Sequence, residues 1–308
     1  MKKCLGCGVV LQNTDKDALG YTPKLENDLC IRCYKLKHYG NLINSGKHQD
    51  NAKLLKEIDK KNGHVLFLID FLNIYNDVME TYKKIKCSKT LVVTKSDLIP
   101  KNIKKEKLVK NIKDIYDIKE DVLLVSSKTK ENLNAIEKIC LNNSTVVFAG
   151  FTNAGKSSII NALVGSDITV SRNINTTQEF IKLKVDGIDI YDAPGFINSK
   201  VYDNVAKSKI KPKTYQLANK YYLNILDINI ASVVDINLTL YFDNFITVSK
   251  RRIKDNLEYN LEIPANNDLV IKGLGFIKFS GSTKVSVNID RDYFDIRPTI
   301  IGGNYEQD

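Results

Sequence analysis

Residues 150–157 of this chain are Gly-Phe-Thr-Asn-Ala-Gly-Lys-Ser, and this stretch decides the fold. It has the Gly-x-x-x-x-Gly-Lys-Ser spacing of a phosphate-binding loop. The apolar run at 145–149 predicts a buried strand before the loop, and residues 158–163 predict a helix after it. A turn that carried Gly-Lys-Ser by chance would lack this strand–loop–helix context. The sequence therefore predicts a nucleotide-binding α/β domain.

The fixed positions of this loop each have a physical role. Gly150 and Gly155 allow the backbone to turn so that successive N–H groups point at phosphate oxygens. The start of the following helix adds the positive end of its dipole. We expect Lys156 to reach the β- and γ-phosphates and the Ser157 hydroxyl to bind Mg²⁺. The predicted contact set also includes Asn153, Ala154 and Ser158.

The composition limits the class of protein. The chain has 308 residues, of which 43% are hydrophobic, enough for two or three domains with a sizeable core. A net charge of +10 favours polyanionic partners, nucleic acid before an anionic membrane surface, although a compositional bias toward Lys, Asn and Ile is an alternative explanation. No apolar run approaches the ~20 residues of a membrane span, and no signal peptide is visible. We expect a cytoplasmic monomer without a transmembrane segment.

Four of the six cysteines form two C-x-x-C pairs, Cys4/Cys7 and Cys30/Cys33. A single such pair could be a redox site, but two pairs separated by 22 residues match a four-thiolate zinc site. Four protein ligands leave no open position for water, so this zinc is expected to be structural. A segment this small has little core of its own, and the metal would supply most of its folding energy.

From residue 54 onward, short apolar segments alternate with helical patterns, which predicts a parallel, doubly wound sheet. Strands are predicted at 65–69, 90–93, 122–125, 145–149, 179–185 and 188–191, and helices at 77–85, 104–115, 131–141 and 158–163. After residue 205, a possible helix at 215–223 precedes alternating apolar residues typical of a small, mostly antiparallel β domain. The predicted domains are a zinc-binding segment at 1–50, a nucleotide-binding domain at 51–205 and a β-rich domain at 206–308. A basic cluster at 249–254 in the last domain is either a solvated loop or a contact for an RNA backbone.

Three further motifs follow predicted strands, where open α/β sheets bind their ligands. In Thr94-Lys95-Ser-Asp97, the carboxylate can accept two hydrogen bonds from guanine but not from adenine, and the Lys95 stem would lie along the base. In Ser126-Ser127-Lys128, a backbone N–H can meet the guanine O6. In Asp192-Ala-Pro-Gly195, Asp192 would hold Mg²⁺ through water and the Gly195 N–H would sense the γ-phosphate, although a plain Pro-Gly turn is an alternative.

The order of these motifs is rotated. In Ras-like GTPases the phosphate loop comes first, whereas here the guanine motifs precede it, as in a circular permutation. Thr177, between the phosphate loop and Asp192, is the expected second hydroxyl ligand of Mg²⁺. The segment that senses the γ-phosphate then leads directly into the C-terminal region, so its ordering by GTP would be coupled to that region.

The chain resembles the YqeH family of circularly permuted GTPases over nearly its whole length. The matching residues are 4–8, 19–23, 30–34 and 36–39 in the zinc segment, 65–70, 94–97, 150–158 and 192–196 in the GTPase, and 268–276 and 294–298 near the C-terminus. The resemblance implies a circularly permuted Ras-like P-loop GTPase domain, an N-terminal zinc segment and a C-terminal mainly β domain. It also implies a role in assembly of the small ribosomal subunit with GTP hydrolysis as a checkpoint, and a precursor subunit with its rRNA as partner.

Two positions bear on hydrolysis. Ras-like enzymes place a glutamine after Asp-x-x-Gly to orient the attacking water, and here that position is Phe196, which predicts slow turnover by the protein alone. Asn153 matches the asparagine that coordinates potassium in such GTPases, which predicts potassium-stimulated turnover, unless it is only a tolerated loop residue. The predicted catalytic residues are Lys156, Thr177 and Gly195.

Two functions of different class fit these features. The first is an RNA-associated GTPase switch whose outer domains bind pre-ribosomal RNA. The second is a GTP-dependent binding module for a membrane or protein partner, in which hydrolysis is incidental. An ATPase is a more distant third. Sedimentation with small-subunit particles in the presence of a non-hydrolysable GTP analogue separates the first from the second.

Overall fold

In the computed structural model of the chain, the described residues are 2, 4, 10–15, 20–30, 50–164, 171–173, 180–185, 187–198, 200–202, 210–254 and 256–302. The chain divides into two compact units, one of Met1–Gln49 with Asp203–Val205 and one of Asp50–Tyr202 with Ala206–Asp308. No helix among these described ranges is long and apolar enough to cross a membrane.

The described residues of the smaller unit, 2, 4, 10–15 and 20–30, are joined by backbone hydrogen bonds and a buried cluster. The Leu11 amide donates to the Lys2 carbonyl at 2.8 Å, and Gln12 pairs with Tyr21 in an isolated parallel bridge. Among the described residues of this unit, Cys4, Leu11 and Cys30 form a buried cluster.

A seven-stranded sheet forms the first part of the larger unit. Its strands are β1 (His64–Asp70), β2 (Lys89–Thr94), β3 (Val122–Leu124), β4 (Thr145–Gly150), β5 (Ser171–Asn173), β6 (Ile181–Val185) and β7 (Ile188–Asp192). The order across the sheet is β3-β2-β1-β4-β7-β6-β5. The central strands β1 and β4 are almost fully buried because apolar side chains on both faces are covered, as in other parallel sheets.

Strands β1, β2, β3, β4 and β7 run parallel, so their carboxyl ends meet at one edge of the sheet. The prediction of a purely parallel sheet is wrong at the other side, where β6 pairs antiparallel with β7 and with β5. The connection from β6 to β7 is too short for a crossover, and Gly187 in it has φ +84°, a conformation that suits a tight hairpin.

Within the described ranges, five helices accompany the sheet: α1 (Asn51–Lys60), α2 (Asn76–Lys84), α3 (Lys105–Tyr116), α4 (Leu133–Leu141) and α5 (Lys156–Val164). The last four lie within two residues of their predicted starts and ends. The start of α1 is fixed by Asp50, whose Oδ1 accepts hydrogen bonds from the amides of Ala52 and Lys53. Helix α5 begins at the lysine of the phosphate loop, two residues before its predicted start at residue 158.

The remainder of the larger unit is made of two five-stranded antiparallel sheets. Its strands are β8 (Lys213–Leu217), β9 (Tyr221–Ile225), β10 (Ile228–Ser232), β11 (Ile236–Phe242), β12 (Val248–Arg252), β13 (Leu261–Ile263), β14 (Asn267–Ile271), β15 (Gly275–Phe279), β16 (Thr283–Val287) and β17 (Phe294–Pro298). The sheet orders are β12-β9-β10-β16-β13 and β17-β14-β15-β11-β8. The inward side chains of the two sheets form one apolar core. The antiparallel β character of this region is therefore confirmed.

The predicted helix at 215–223 is wrong, because these residues belong to β8, a turn and β9. Leu223 and Ile225 alternate with more exposed residues along β9, which is the period of a strand. Each strand also has a partner distant in sequence, β11 for β8 and β12 for β9, and β9 forms a hairpin with β10. The basic cluster at 249–254 is likewise mostly strand, since Ser249 to Arg252 lie in β12 at the edge of its sheet.

The β sheets pack on the segment that joins β1 to α2. Phe71 packs against Phe276 with ring centroids 5.9 Å apart, and the Gly273 amide donates to Asn73 Oδ1 at 2.8 Å. The Lys272 ammonium donates to Asp77 Oδ2 at 2.6 Å. These contacts fasten the C-terminal sheets next to the strand end that carries Asp70.

Candidate nucleotide-binding site

The phosphate loop has the backbone that its sequence requires. Gly150 has φ +146°, and a Cβ there would lie 2.2 Å from the Leu68 carbonyl oxygen of β1, so no larger residue fits. Gly155 has φ +88° and Asn153 has φ +64°, so both lie in the left-handed region. The loop leads from β4 into the first turn of α5, which aims backbone N–H groups and the positive helix end toward an anion.

Lys156 is folded back onto the loop. Its ammonium donates to the Gly150 carbonyl at 3.0 Å and to the Phe151 carbonyl at 3.3 Å. Burial lowers the pKa of Lys156 to about 8, and the charge of the nearby Asp192 opposes this shift. A phosphate group beside this lysine would favour its charged form again.

Asp192, at the end of β7, has the features of a cation ligand. Burial raises the pKa of its carboxyl group, and the Lys156 charge opposes that rise. Its Oδ1 is buried and has no hydrogen-bond partner among the residues described. An ionised carboxylate in such a position needs a cation or water, so the residue fits a bound Mg²⁺.

The loop that begins at Asp192 is tied to the phosphate loop by its backbone. The Phe196 amide donates to the Gly150 carbonyl, and the Thr152 amide donates to the Phe196 carbonyl, both at 3.1 Å. A Cβ on Gly195 would come within 2.8 Å of the Thr152 side chain, so the two loops touch. The Phe196 side chain is fully buried and packs on Phe151, with ring centroids 5.5 Å apart. It therefore lies in the core and offers no polar group to a water molecule.

The guanine motif lies beside the phosphate loop. The Thr94 hydroxyl at the end of β2 donates to the Ala154 carbonyl at 2.7 Å. The Ser126 hydroxyl, which follows β3, donates to Asp97 Oδ1 at 2.7 Å, so two of the predicted guanine-binding segments are in direct contact. The Lys95 ammonium lies 3.1 Å from Asp70 Oδ2 at the end of β1.

These contacts bring four separate segments of the sequence to one edge of the sheet. Residues 94–97, 126–128, 150–158 and 192–196 all follow parallel strands that are neighbours in the order β3-β2-β1-β4-β7. Their chain order is guanine motifs first and phosphate loop second. This is the edge at which open α/β sheets bind their ligands.

Comparison with known proteins agrees with this arrangement. The chain matches the family model "RsgA GTPase" over residues 72–202 and the model "50S ribosome-binding GTPase" over residues 145–262. It is 31% identical over 254 residues to the protein YqeH of Bacillus subtilis, an alignment that covers 71% of this chain and 69% of that protein. The chain belongs to the YqeH family. Its fold is that of a circularly permuted P-loop GTPase with C-terminal β sheets, and it is an enzyme that hydrolyses GTP.

More distant relatives of this YqeH-family GTPase match over a smaller part. The "Small ribosomal subunit biogenesis GTPase RsgA" of Bacillus velezensis is 34% identical over 114 residues, and that of Yersinia pseudotuberculosis is 34% identical over 136 residues. The matches cover 34% and 40% of this chain and 38% of each relative. The crystal structure of YjeQ from Thermotoga maritima aligns with a TM-score of 0.34 at 20% identity, over 46% of this chain and 50% of that one.

Other predicted site residues of the YqeH-family chain lie in the phosphate loop, in the first turn of α5 and after β3. Ser157 and Ser158 are exposed in the first turn of α5, and Asn153 is exposed in the loop before it. Ser127 is half-buried, and Lys128 is exposed with its amide bonded to Ser126 Oγ at 3.2 Å. Thr177 lies outside the described residues.

The predicted zinc ligands are described in part. Cys4 and Cys30 are each 2% exposed, and the Cys30 amide donates to Cys4 Sγ at 3.2 Å, so the first cysteine of each pair is in contact with the other. Cys7 and Cys33 lie outside the described residues. Among the residues that are described, no group of three or more His, Cys, Asp or Glu side chains forms a metal site.

Two residues next to the guanine motif were not predicted from the sequence. Asp70 contacts Lys95, and Glu131 accepts a 2.6 Å hydrogen bond from the Ser96 hydroxyl between Lys95 and Asp97. The register of β1 with β2 is the signal that could have identified Asp70, because it lies directly beside Thr94. Glu131 lies 35 residues from Ser96 in a connection before α4, and no local pattern points to it.

Proposed function

We propose that this YqeH-family GTPase is a GTP-driven switch in the assembly of the small ribosomal subunit. The main observation in favour of nucleotide binding is the direct contact of the guanine motif with the phosphate loop through Thr94 and Ala154. Support for the assembly role comes from the names of the RsgA relatives, although the alignments with this chain cover only 38% of each relative's length. The net charge of +10 fits an rRNA partner in the cytoplasm.

In this proposal each end of the site recognises one end of GTP. Asp97, held by Ser126, accepts hydrogen bonds from guanine, while Lys95 lies along the base and residues 126–128 face its O6. The loop at 150–158 surrounds the phosphates, with Lys156 on the β- and γ-phosphates. Ser157, Thr177 and Asp192 are the residues that would hold Mg²⁺, which neutralises phosphate charge when bound.

Guanine selection is tested by Asp97→Asn. This change removes the carboxylate that guanine requires and provides an amide that can pair with xanthine. We expect the affinity for GTP to fall and that for xanthosine triphosphate to rise, measured by equilibrium binding. Unchanged discrimination between the two nucleotides would refute the role of Asp97.

Hydrolysis by the isolated protein is proposed to be slow, because Phe196 is buried in the core and cannot orient water. A potassium ion next to Asn153 would neutralise charge that develops between the β- and γ-phosphates. GTP turnover should then be faster in potassium than in sodium buffer, and Asn153→Ala should remove the difference. Equal rates of the unaltered protein in the two buffers would argue against the potassium site.

RNA binding is proposed for the edge strand β12. Lys250, Arg251 and Arg252 are exposed there, and the Lys250 ammonium lies 4.7 Å from the centre of the Tyr221 ring. An open cleft of about 420 Å³ beside the strand is lined by Lys220, Arg252 and Tyr259, among others. Cationic groups interleaved with aromatic rings suit a nucleic-acid backbone with unstacked bases.

The partner is tested by sedimentation with small-subunit precursor particles and a non-hydrolysable GTP analogue. Arg251→Ser combined with Arg252→Ser should weaken association and, if each arginine neutralises one phosphate, reduce the slope of log K against log salt by about 1.4–1.8. The matched control, Lys101→Ser with Lys104→Ser, removes the same charge from exposed positions of the GTPase part. Binding to anionic liposomes without particle association would favour the alternative of a membrane or protein-binding module.

A structural zinc ion is proposed for the N-terminal unit, held by Cys4, Cys7, Cys30 and Cys33. The amide-to-sulfur bond between Cys30 and Cys4 supports it, since such bonds stabilise thiolate ligands. One zinc per chain should be found by elemental analysis of the purified protein. Cys30→Ser should reduce that content, and a metal-free protein with an intact N-terminal unit would exclude the site.

A further inference from the structure

Asp70 ends the central strand β1 next to the guanine motif, and its carboxylate has a full set of partners. Its Oδ1 accepts a hydrogen bond from the Leu72 amide at 2.9 Å. Its Oδ2 accepts one from Asn73 Nδ2 at 2.9 Å and lies 3.1 Å from the Lys95 ammonium. The Asp70 side chain is 6% exposed, so these bonds are largely shielded from water. A carboxylate fixed in this way presents its charge to Lys95 from one direction.

Lys95 is a residue whose conformation needs such support. Its backbone has φ +58° and ψ +35°, the left-handed region that non-glycine residues rarely adopt. Its side chain is 21% exposed, so the stem is packed rather than free in solvent. A lysine on a protein surface samples many rotamers, and ordering it costs conformational entropy. The ion pair with Asp70 removes that freedom before any ligand arrives.

Asp70 is also anchored away from the site. Asn73, which donates to it, accepts a hydrogen bond from the Gly273 amide of the C-terminal sheets at 2.8 Å. The carboxylate thus lies between the guanine motif on one side and a packed interface on the other. Its position does not depend on a mobile side chain.

We propose that Asp70 is a positioning residue for guanine-nucleotide binding: it holds the Lys95 ammonium so that the lysine stem is preordered along the face of the base. This inference rests on the proposed guanine site. Asp70 itself does not touch the nucleotide. Its effect should be equal for GTP and GDP, because it acts at the base and not at the γ-phosphate.

The test is a double-mutant cycle in the full-length protein with a fluorescently labelled GDP. Asp70→Asn keeps an acceptor for the Leu72 amide but removes the charge, and Lys95→Met keeps the stem but removes the ammonium. We expect each change to weaken GDP binding by about tenfold, and the double variant to bind no more weakly than either single one. Asp117→Asn is the control, because it breaks a lysine ion pair, with Lys119, on the exposed surface away from the nucleotide and from Asp70.

A purely structural role of Asp70 gives a different pattern. If Asp70 only caps the turn that follows β1, its loss lowers the unfolding midpoint and its effect on GDP affinity adds to that of Lys95→Met. Additive effects, or unaltered GDP affinity in folded Asp70→Asn protein, would overturn the inference. If Asp70→Asn does not fold, Lys95→Met alone tests the inference. If Lys95→Met binds GDP as tightly as the unaltered protein does, the Lys95 ammonium has no role in binding, and holding it in place cannot matter.

Failure of the guanine site itself has a separate signature. In that case Asp97→Asn leaves nucleotide discrimination unchanged. If Asp97→Asn does change discrimination but the Asp70–Lys95 cycle shows no coupling, the site stands and only the positioning role of Asp70 falls.

Discussion

The hydrogen bond between Thr94 and Ala154 gives the sharpest test of how the two halves of the site are joined. We consider Thr94→Val, which preserves the shape of the side chain and removes its hydroxyl. In the structure that hydroxyl donates to the Ala154 carbonyl at 2.7 Å and lies 3.2 Å from the Ile69 carbonyl. Thr94 is 1% exposed and Ala154 is 4% exposed, so water cannot readily replace the lost donor.

The expected magnitude follows from this burial. A buried carbonyl left without its donor costs about 1–3 kcal/mol, and the near-isosteric replacement adds little cavity cost. If about 1.4 kcal/mol of this loss destabilises the phosphate-loop conformation that binds nucleotide, the affinity for nucleotide decreases about tenfold. We therefore expect Thr94→Val to lower both the free energy of unfolding and the affinity for GDP.

A matched control lies at the other end of the same strand. Thr90 is 4% exposed, and its hydroxyl pairs with His64 Nε2 at 3.0 Å, away from the phosphate loop. Thr90→Val should cost a comparable free energy of unfolding in urea titrations but leave GDP affinity as it is. Both quantities are measured on the same preparations, so loss of folded protein is separated from loss of binding.

Equal GDP affinity of Thr94→Val and Thr90→Val at comparable stability would refute this role of the Thr94 hydroxyl. That result would mean that the phosphate loop keeps its binding geometry without support from the guanine motif. Reduced GDP affinity in both variants would instead point to a general loosening of β2.

Three further predictions follow from other parts of the chain. Burial lowers the pKa of His64 from its ordinary value of 6.5, so the unfolded state binds a proton more readily than the folded state. The contribution of His64 to the free energy of unfolding should therefore be complete above pH 6.5 and should decrease as the pH falls below it. In urea unfolding, His64→Gln should show a weaker dependence on acid pH. Gly273→Ala should destabilise the protein more than Gly187→Ala. Both glycines have a similar positive φ, but of the two only the new Cβ at Gly273 would meet a backbone atom, since it would lie 1.8 Å from the Tyr202 carbonyl oxygen. Equal unfolding midpoints of the two variants would contradict this. In the absence of Mg²⁺, Asp192→Asn should stabilise the protein, because a buried charge is removed. The same change should abolish the Mg²⁺-dependent gain in GTP affinity measured by titration calorimetry. A full gain in the variant would exclude Asp192 as a Mg²⁺ ligand.

Local patterns predicted much of the GTPase part. Runs of Val, Ile, Leu and Phe identified the buried strands, and the glycines of the phosphate loop identified a backbone with left-handed positions. These signals depend on neighbouring residues, so they survive without knowledge of the tertiary structure. The roles of the individual site residues remain predictions, since they concern a nucleotide and metal ions.

Long-range pairing set the limit of what could be predicted. Residues 215–223 carry enough helix-compatible side chains to suggest a helix, but pairing of β8 with β11 and of β9 with β12 makes them strands. The contact of Asp70 with Lys95 depends on the register of β1 against β2, in which Asp70 lies opposite Thr94. Lys95 stands out as part of the predicted guanine motif and Asp70 as the residue that follows a predicted strand, but only the sheet shows that the two are partners.

The permuted order gives the segment after Gly195 a particular position in the molecule. Ile197 is held to α1 by reciprocal hydrogen bonds, in which its amide and carbonyl bond the Asn51 side chain at 3.1 and 2.8 Å. A few residues later, the Tyr202 amide donates to the Lys272 carbonyl of the C-terminal sheets at 2.8 Å. If the Gly195 amide binds the γ-phosphate, a displacement of that amide would act on α1 through the bonds of Ile197 and on the β sheets through the bond of Tyr202.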